Sequence, residues 1–270
     1  SCVGAYVLDN KAGVVIRIIS RATLLATGGI GQVYLHTTNP DGATGDGVAM
    51  AYRAGARIVN AQYVQFHPTV FFHRGESKFL ISEAMRGEGG RLLNVNGEPF
   101  MQRYDSEWGD LAPRDVVARS IHQEMLRTNA SHVYLDIASV MPASEIKERF
   151  PNICQSCAEY DVDPTTEPIP VVPAEHYFCG GVWVDEWGHT SLRRLYAAGE
   201  VTCTGVHGAN RLGSSSLLEG LVWGYRAAED ITRSLARWDI YDARNIPAWE
   251  SAEEDAPADL PPQVDSPILE

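Results

Sequence analysis

Long hydrophobic runs are missing from these 270 residues. Although 44% of them are apolar, no stretch approaches the length of a membrane span, which points to a soluble globular protein. A surplus of positive charge is missing too. The formal net charge is −13, which excludes nucleic acid as a partner because that would call for a basic face. A small anionic substrate stays open, since a few local Arg and His residues can dominate one pocket. No basic segment followed by an apolar stretch opens the chain, so there is no signature of export. Cysteine is sparse and scattered, at Cys2, Cys154, Cys157, Cys179 and Cys203. The C-x-x-C of Cys154 and Cys157 has no second pair and no His at zinc-finger spacing, so it reads as a structural pair ahead of a metal or redox site. No metal is expected, and the odd cysteine count suits a reducing cytoplasm. The dinucleotide fingerprint G-x-G-x-x-G is also absent; Gly28-Gly29-Ile30-Gly31 comes nearest and lacks the spacing. The expectation is therefore an internal piece of a larger protein, with an N-terminal portion lying before Ser1.

What is present reads as an α/β chain. Residues 3–8 and 14–19 are strand-like about a D-N-K-A-G turn, and an apolar run from Thr23 to Ala26 ends in T-G-G-I-G. A loop of turn formers leads into a helix from about Val48 to Arg57. From about Ala61 the texture changes, with aromatics, His and Arg crowded together and helices near 113–128 and 142–149. Pro113 and Asn129 are good boundary signals for the first of these. A Pro- and Thr-rich loop at 163–173 leads to H-Y-F-C-G-G and a short strand. Strand-turn-helix character returns at Leu195–Gly199. The closing helix, about 215–237, places Leu218, Leu221, Val222, Tyr225, Ala228, Ile231 and Leu235 on one face. The domain reading is a nucleotide-binding part at 1–60, an inserted domain of α+β character at 61–178, a returning part at 179–240 and a linker or disordered acidic tail at 241–270.

Several clusters carry chemistry. His207 to Gly220, H-G-A-N-R-L-G-S-S-S-L-L-E-G, reads as a turn opening a helix whose first turn is rich in hydroxyls, a setting for an anion, with Arg211 adding a fork of donors. Gln65-Phe66-His67-Pro68-Thr69 sets a His before a Pro, biasing its backbone to extended geometry. Ser82 to Gly90 joins charged residues to glycines. Arg114 stands in the first turn of a helix, where a cation opposes the dipole, so it calls for a partner such as Asp110, Asp115 or a substrate carboxylate. Glu175-His176-Tyr177 precedes Cys179-Gly180-Gly181, glycines that allow a close approach. Each has a bland reading: a core histidine, a surface ion pair, a solvated charge run or a strand-end bulge.

Eight motifs in order over residues 23–237 resemble the succinate dehydrogenase/fumarate reductase flavoprotein family. They are A-T-G-G (26–29), T-N-P-D-x-x-x-G-D-G (38–47), Q-F-H-P-T (65–69), S-E-A-M-R-G-E-G (82–89), L-A-P-R-D-V-V-A-R (111–119), H-Y-x-C-G-G-V (176–182), A-G-E-V (198–201) and H-G-A-N-R-L-G-S-x-S-L-L-E (207–219). Pro113 in L-A-P-R-D and the residues after His176-Tyr177 resemble the branch that oxidises L-aspartate. The resemblance implies an FAD-binding Rossmann-like domain, incomplete here, interrupted by a capping domain. It implies Arg114 as the acid/base residue at the substrate Cα–Cβ bond, with His67, His176 and Arg211 holding the carboxylates and Gln65, Ser82 and Glu83 near them. Asp46, Glu200, Ser216 and Leu217 match cofactor-contacting positions, Glu200 being apt for ribose hydroxyls. The implied reaction takes L-aspartate to iminoaspartate with oxygen or fumarate as acceptor. It is the first step of NAD synthesis by the quinolinate route, with quinolinate synthase as a partner. One alternative is a fumarate reductase or succinate dehydrogenase subunit acting on fumarate or succinate. The other is a truncated, non-catalytic fragment. With the fingerprint upstream, this chain alone is expected to hold FAD weakly or not at all and to be inactive.

Overall fold

The computed structural model describes residues 1–73 and 79–249. In chain order the elements are β1 (Gly4–Asp9), β2 (Val14–Ile19), β3 (Thr23–Leu25), α1 (Asp46–Arg53), β4 (Ile58–Val59), β5 (Val64–Phe71), α2 (Glu83–Gly87), β6 (Arg91–Leu93) and α3 (Met101–Tyr104). There follow α4 (Arg114–Thr128), β7 (Val133–Asp136), α5 (Ala143–Arg149), α6 (Pro151–Ala158), β8 (Ile169–Phe178), β9 (Gly181–Trp183), β10 (Leu195–Ala197), β11 (Thr202–Cys203) and α7 (Ser215–Ser234). None of the described helices is long and apolar enough to cross a membrane. The described residues form two compact units, one of residues 1–33, 43–64 and 177 onward, the other of 34–42 and 65–176.

The first unit has the pairing of an α/β fold. β3 and β10 run parallel, with Thr23 opposite Leu195, although some 170 residues of chain separate them; β9 lies parallel to β11 and antiparallel to β4. Parallel neighbours need a long crossover, and here the whole inserted unit lies within it. The β1–β2 hairpin pairs from Gly4 with Ile19 to Asp9 with Val14. Its turn is fixed by the Asp9 carboxylate, which accepts the Lys11 and Ala12 N–H groups. The core is small and aliphatic, built from Ala51, Val182, Leu195, Ala197 and Val201. Gly180 and Gly181 do allow a close approach, but to the chain's own backbone. A Cβ on Gly180 would meet the Asn60 carbonyl oxygen at 2.2 Å, and one on Gly181 the Val201 carbonyl oxygen at 2.4 Å.

Helix α7 carries the one-sided apolar stripe read from the sequence. Its apolar stripe is solvent-facing among the described residues, with Leu218, Leu221 and Tyr225 each about two-thirds exposed. The helix instead buries Glu219 and Ala227 and packs Trp223 against the core, while the Trp223 indole donates to the Asp185 carbonyl. A 3.6-residue period marks a stripe without saying what it faces. The α-helix also stops at Ser234, passing into a single 3-10 turn.

The second unit has the antiparallel geometry of an α+β domain. Its sheet runs in the order β5-β8-β7-β6, with Leu92 opposite Leu135 and Val133 opposite Val171. Phe71, Ile81, Met85, Leu92, Phe100, Ile121, Leu135 and Ile169 form its core. Helix α4 begins after Pro113 and ends at Asn129 with φ 52°, as those residues foretell. Two features escape the sequence reading. Strand β8 starts at Ile169, inside the stretch read as a loop. Pro170 and Pro173 suggest a break, but Ile169, Val171 and Val172 are buried and the Pro170 carbonyl still accepts the Phe72 N–H. Helix α6, opened by Pro151, carries the C-x-x-C pair; Cys157 is a core residue whose thiol is pushed up to about 12 by burial. Of the expected acidic tail, residues 250–270 lie outside the described residues.

Candidate functional site

In the second unit, strand β5, helix α2, the start of α4 and the end of β8 supply the expected substrate residues. The H-P pair keeps β5 extended, and Gln65 and His67 are both buried along it. His67 is the most informative of them. Its Nδ1 accepts the Thr69 N–H at 3.3 Å, so the proton of the neutral ring sits on Nε2. That Nε2 is buried and has no hydrogen-bond partner among the described residues. Burial, reinforced by the nearby His176, Arg114 and Arg86, holds the imidazole down to about 2. His67 is therefore a neutral N–H donor awaiting an acceptor. The His176 ring lies edge-on with its centroid 5.4 Å away, and its Nδ1 is 2.9 Å from the Thr38 hydroxyl. Next to it, the Glu175 carboxylate is fully buried and accepts from Thr37 at 2.7 Å and Asn39 at 2.8 Å, which ties the 37–39 loop to the strand.

The acidic partner of Arg114 is neither Asp110 nor Asp115. Asp115 pairs with Arg119, and the Asp110 carboxylate accepts the Leu92 N–H. Glu83 takes the place: Arg114 Nε donates to its Oε1 at 2.5 Å and Nη2 to its Oε2 at 3.0 Å. This bidentate pair answers the unfavourable position at the start of α4 and leaves Arg114 Nη1 without a partner among the described residues. Arg86, one turn along α2, also reaches Glu83 at 3.4 Å and donates to the Asp110 carbonyl at 2.6 Å. It is 4% exposed, so the Ser82–Gly90 segment is no solvated charge run, and Arg86 belongs to the cluster although sequence reasoning did not assign it. The three-residue spacing of Glu83 and Arg86 on a helix was the available signal. Ser82 caps that helix, accepting the Ala84 N–H at 3.2 Å. The second unit thus brings together His67, His176, Glu83 and Arg114, with Gln65 beside them in sequence along β5.

The first unit holds Arg211, Glu200, Ser216, Leu217 and Asp46. Arg211 is buried, donates to the Ser216 hydroxyl at 3.1 Å and lies over the Tyr177 ring, 4.5 Å from its centroid. Helix α7 starts at Ser215 with no side chain capping it, and Leu217 is exposed at its first turn. Glu200 Oε1 accepts the Phe178 N–H at 2.9 Å, while Oε2 has no partner among the described residues. Burial raises the Glu200 pKa, against the opposing pull of that backbone bond and of Arg211. The same carboxylate presses on the A-T-G-G turn: a Cβ on Gly29 would lie 2.3 Å from Oε1. Asp46 opens α1 on the surface, and nothing joins it to the other four among the described residues.

The sequence matches the family of FAD-binding domains over residues 1–217. The chain belongs to that family. Its sequence relatives include L-aspartate oxidase 1 of Ralstonia nicotianae, 53% identical over 93% of this chain and 46% of the relative, and an L-aspartate oxidase of Pseudomonas aeruginosa, 50% identical with the same coverage. The chloroplastic L-aspartate oxidase of Arabidopsis thaliana is 51% identical over 87% of this chain and 37% of its own length. Among solved structures, an Escherichia coli quinol fumarate reductase gives a TM-score of 0.75 at 37% identity, over 83% of this chain and 40% of that one. A quinol-fumarate reductase with menaquinol molecules gives 0.75 at 38%, over 83% and 41%. The chain spans about half the length of the curated relatives it matches. The cofactor implied by this flavoprotein family is FAD, and the residues present fit it. Glu200 offers a carboxylate oxygen to hydroxyl groups, and the uncapped start of α7 offers backbone donors to a carbonyl or phosphate.

Proposed function

We propose that this chain serves the oxidation of L-aspartate to iminoaspartate in an L-aspartate oxidase, with oxygen or fumarate taking the electrons. In the reaction the substrate amine is neutral, Cα gives up a hydride and nitrogen a proton, and a C=N bond forms. FAD, when bound, supplies the two-electron acceptor. The Glu200 carboxylate, Ser216, Leu217 and Asp46 are the residues we assign to it.

The observation that carries this reading is the buried, unpartnered Nε2 of His67 beside His176 and the Glu83-braced Arg114. A C4 dicarboxylate supplies the acceptors such a set lacks. Neutral His67 donates one hydrogen bond without a second charge, and His176 lies beside it. Arg114 Nη1 turns toward the reacting carbons while Glu83 fixes its plane, and Arg114 exchanges the proton there in the fumarate direction. Gln65 and Ser82 complete the lining. Within the first unit, the Arg211 fork is the group we assign to a carboxylate. Iminoaspartate then feeds quinolinate and NAD synthesis, with quinolinate synthase as the partner and the cytoplasm as the compartment.

The test is the full-length protein supplied with FAD. Hydrogen peroxide or succinate (from fumarate) formed in step with aspartate consumption is the expected result. A protein that reduces a dye with succinate and ignores aspartate would establish the second reading, a fumarate reductase or succinate dehydrogenase subunit, which the 37–38% identity to the quinol fumarate reductases favours.

A further inference from the structure

In the first unit, strands β3 and β10 run parallel and end together, the Ala198 N–H donating to the Leu25 carbonyl at 3.0 Å. The carboxyl ends of parallel strands are where an α/β sheet takes its ligands. Two short segments leave the pair there, A-T-G-G after β3 and A-G-E after β10, and they meet at Gly29 and Glu200. Gly29 is buried, and the three atoms that a Cβ there would lie nearest all belong to Glu200: Oε1 at 2.3 Å, Cδ at 2.8 Å and Cγ at 3.4 Å. The Gly29 backbone does not itself call for glycine. Its neighbour Gly28 does, with φ 75°, but Gly29 lies outside that left-handed region. The obstacle at Gly180, by contrast, is main chain, the Asn60 carbonyl. The absent side chain at position 29 therefore serves one neighbour, the Glu200 carboxylate, whose Oε1 also accepts the Phe178 N–H at 2.9 Å.

We infer that Gly29 is a positioning residue for FAD acting through Glu200: the missing methyl group lets the carboxylate sit against the turn, in the place we assign to cofactor hydroxyls. An oxygen 2.3 Å from a Cβ would have to retreat by about 1 Å to reach ordinary contact. A carboxylate at the end of a flexible side chain makes that move by bond rotation, at little cost to the fold. The Phe178 hydrogen bond does not survive it, because at 2.9 Å it has only a few tenths of an ångström to give. Gly29→Ala adds no charge, so the Arg211 and Glu219 charges that act on the same carboxylate stay as they are. Backbone entropy works in the opposite direction, since an Ala whose conformation fits gains from a stiffer unfolded chain. A loss of cofactor on substitution thus reads the carboxylate and not the fold.

This role of Gly29 rests on the assignment of Glu200 to the cofactor, and one experiment separates the two. In the full-length, FAD-loaded protein, the FAD dissociation constant is read from flavin fluorescence on dilution, and the fold from circular dichroism. Glu200→Ala should raise that constant about tenfold or more, the loss of a hydrogen bond to a charged group. Gly29→Ala should raise it about fivefold or more with the fold unchanged. In the Glu200→Ala background the same change should add less than about twofold, because no carboxylate remains to be displaced. It should add as little in the Glu200→Asp background, where the shorter side chain draws the carboxylate back from the methyl group. An undiminished effect of Gly29→Ala in the Glu200→Ala background places the clash on the cofactor or the turn itself, and overturns the positioning role while the Glu200 assignment stands. A Gly29→Ala variant that binds FAD like the parent overturns it, and so does one that fails to fold, because the side chain must yield and the fold must not. If Glu200→Ala leaves FAD binding unchanged, the assignment itself fails and the role of Gly29 falls with it.

Discussion

A single imidazole, that of His67, is held to one protonation state by its surroundings. With its pKa near 2 in the folded chain and near 6.5 in the unfolded one, the unfolded state binds the extra proton between those values. Stability therefore rises with pH across that window and is lost as pH falls below about 6.5, with a limiting slope of about 1.4 kcal/mol per pH unit. His67→Gln should flatten the acid limb of a urea-unfolding series between pH 4 and 6.5; an unchanged limb would show that the ring is not neutral in the fold. The same variant should raise KM for aspartate roughly tenfold or more, since a well-placed donor to a carboxylate is lost. For Arg114, whose donor plane Glu83 defines, Arg114→Lys should lower kcat about 10²–10⁴-fold with the flavin spectrum retained, because Lys has no fork. Sequence gave His67 and Arg114 through the motifs around them. It could not give the tautomer of His67 or the Glu83 partner, 31 residues away, because both depend on contacts that only the packed strands and helices create.

At the scale of elements, two joints should respond to simple changes. Gly181 begins β9 with φ 135°, and a Cβ there would meet the Val201 carbonyl. Gly181→Ala should cost about 1–3 kcal/mol, read from the denaturant midpoint. The second joint ties α7 to the β9–β10 connection. His189 Nδ1 is 2.8 Å from Asp185 Oδ2 and Nε2 is 2.8 Å from Asp230 Oδ2, the latter also held by the Tyr196 hydroxyl at 2.6 Å. Burial lowers the His189 pKa, but the bonds to the two carboxylates outweigh it and the net shift is upward. A raised His contributes stability that is fully present below its unfolded pKa and lost as pH rises through the folded one. The parent should thus be stabilised over His189→Gln at pH 5.5 and lose that margin toward pH 8.5, as followed by thermal unfolding. The β1–β2 hairpin and the ends of α4 were legible because alternation and capping act locally. The inward face of α7 was not, because Glu219 looks like a surface residue until its three donors, Tyr177, Thr204 and His207, are seen.

Across the whole molecule, apolar burial is uneven. Strands β6 to β8 bury Leu92, Val133, Leu135, Ile169 and Val171 completely, whereas Leu8, Val14, Ile16 and Ile18 of the hairpin and Leu218, Leu221 and Tyr225 of α7 are exposed. Hydrogen exchange should find the slowest amides of this chain in β7 and β8 and rapid exchange through β1 and β2. Equal protection would contradict the burial pattern. The parallel β3–β10 pair joins strands some 170 residues apart, a register that local sequence patterns do not carry. One detail of β8 reaches further. His176 is the last residue of the second unit and Tyr177 the first to return, and they are neighbours in one strand. Successive strand residues point to opposite sides, so the His176 and Tyr177 side chains leave β8 in opposite directions. Deleting or inserting one residue in β8 would turn every side chain that follows it to the other face, so the strand tolerates little change in length here.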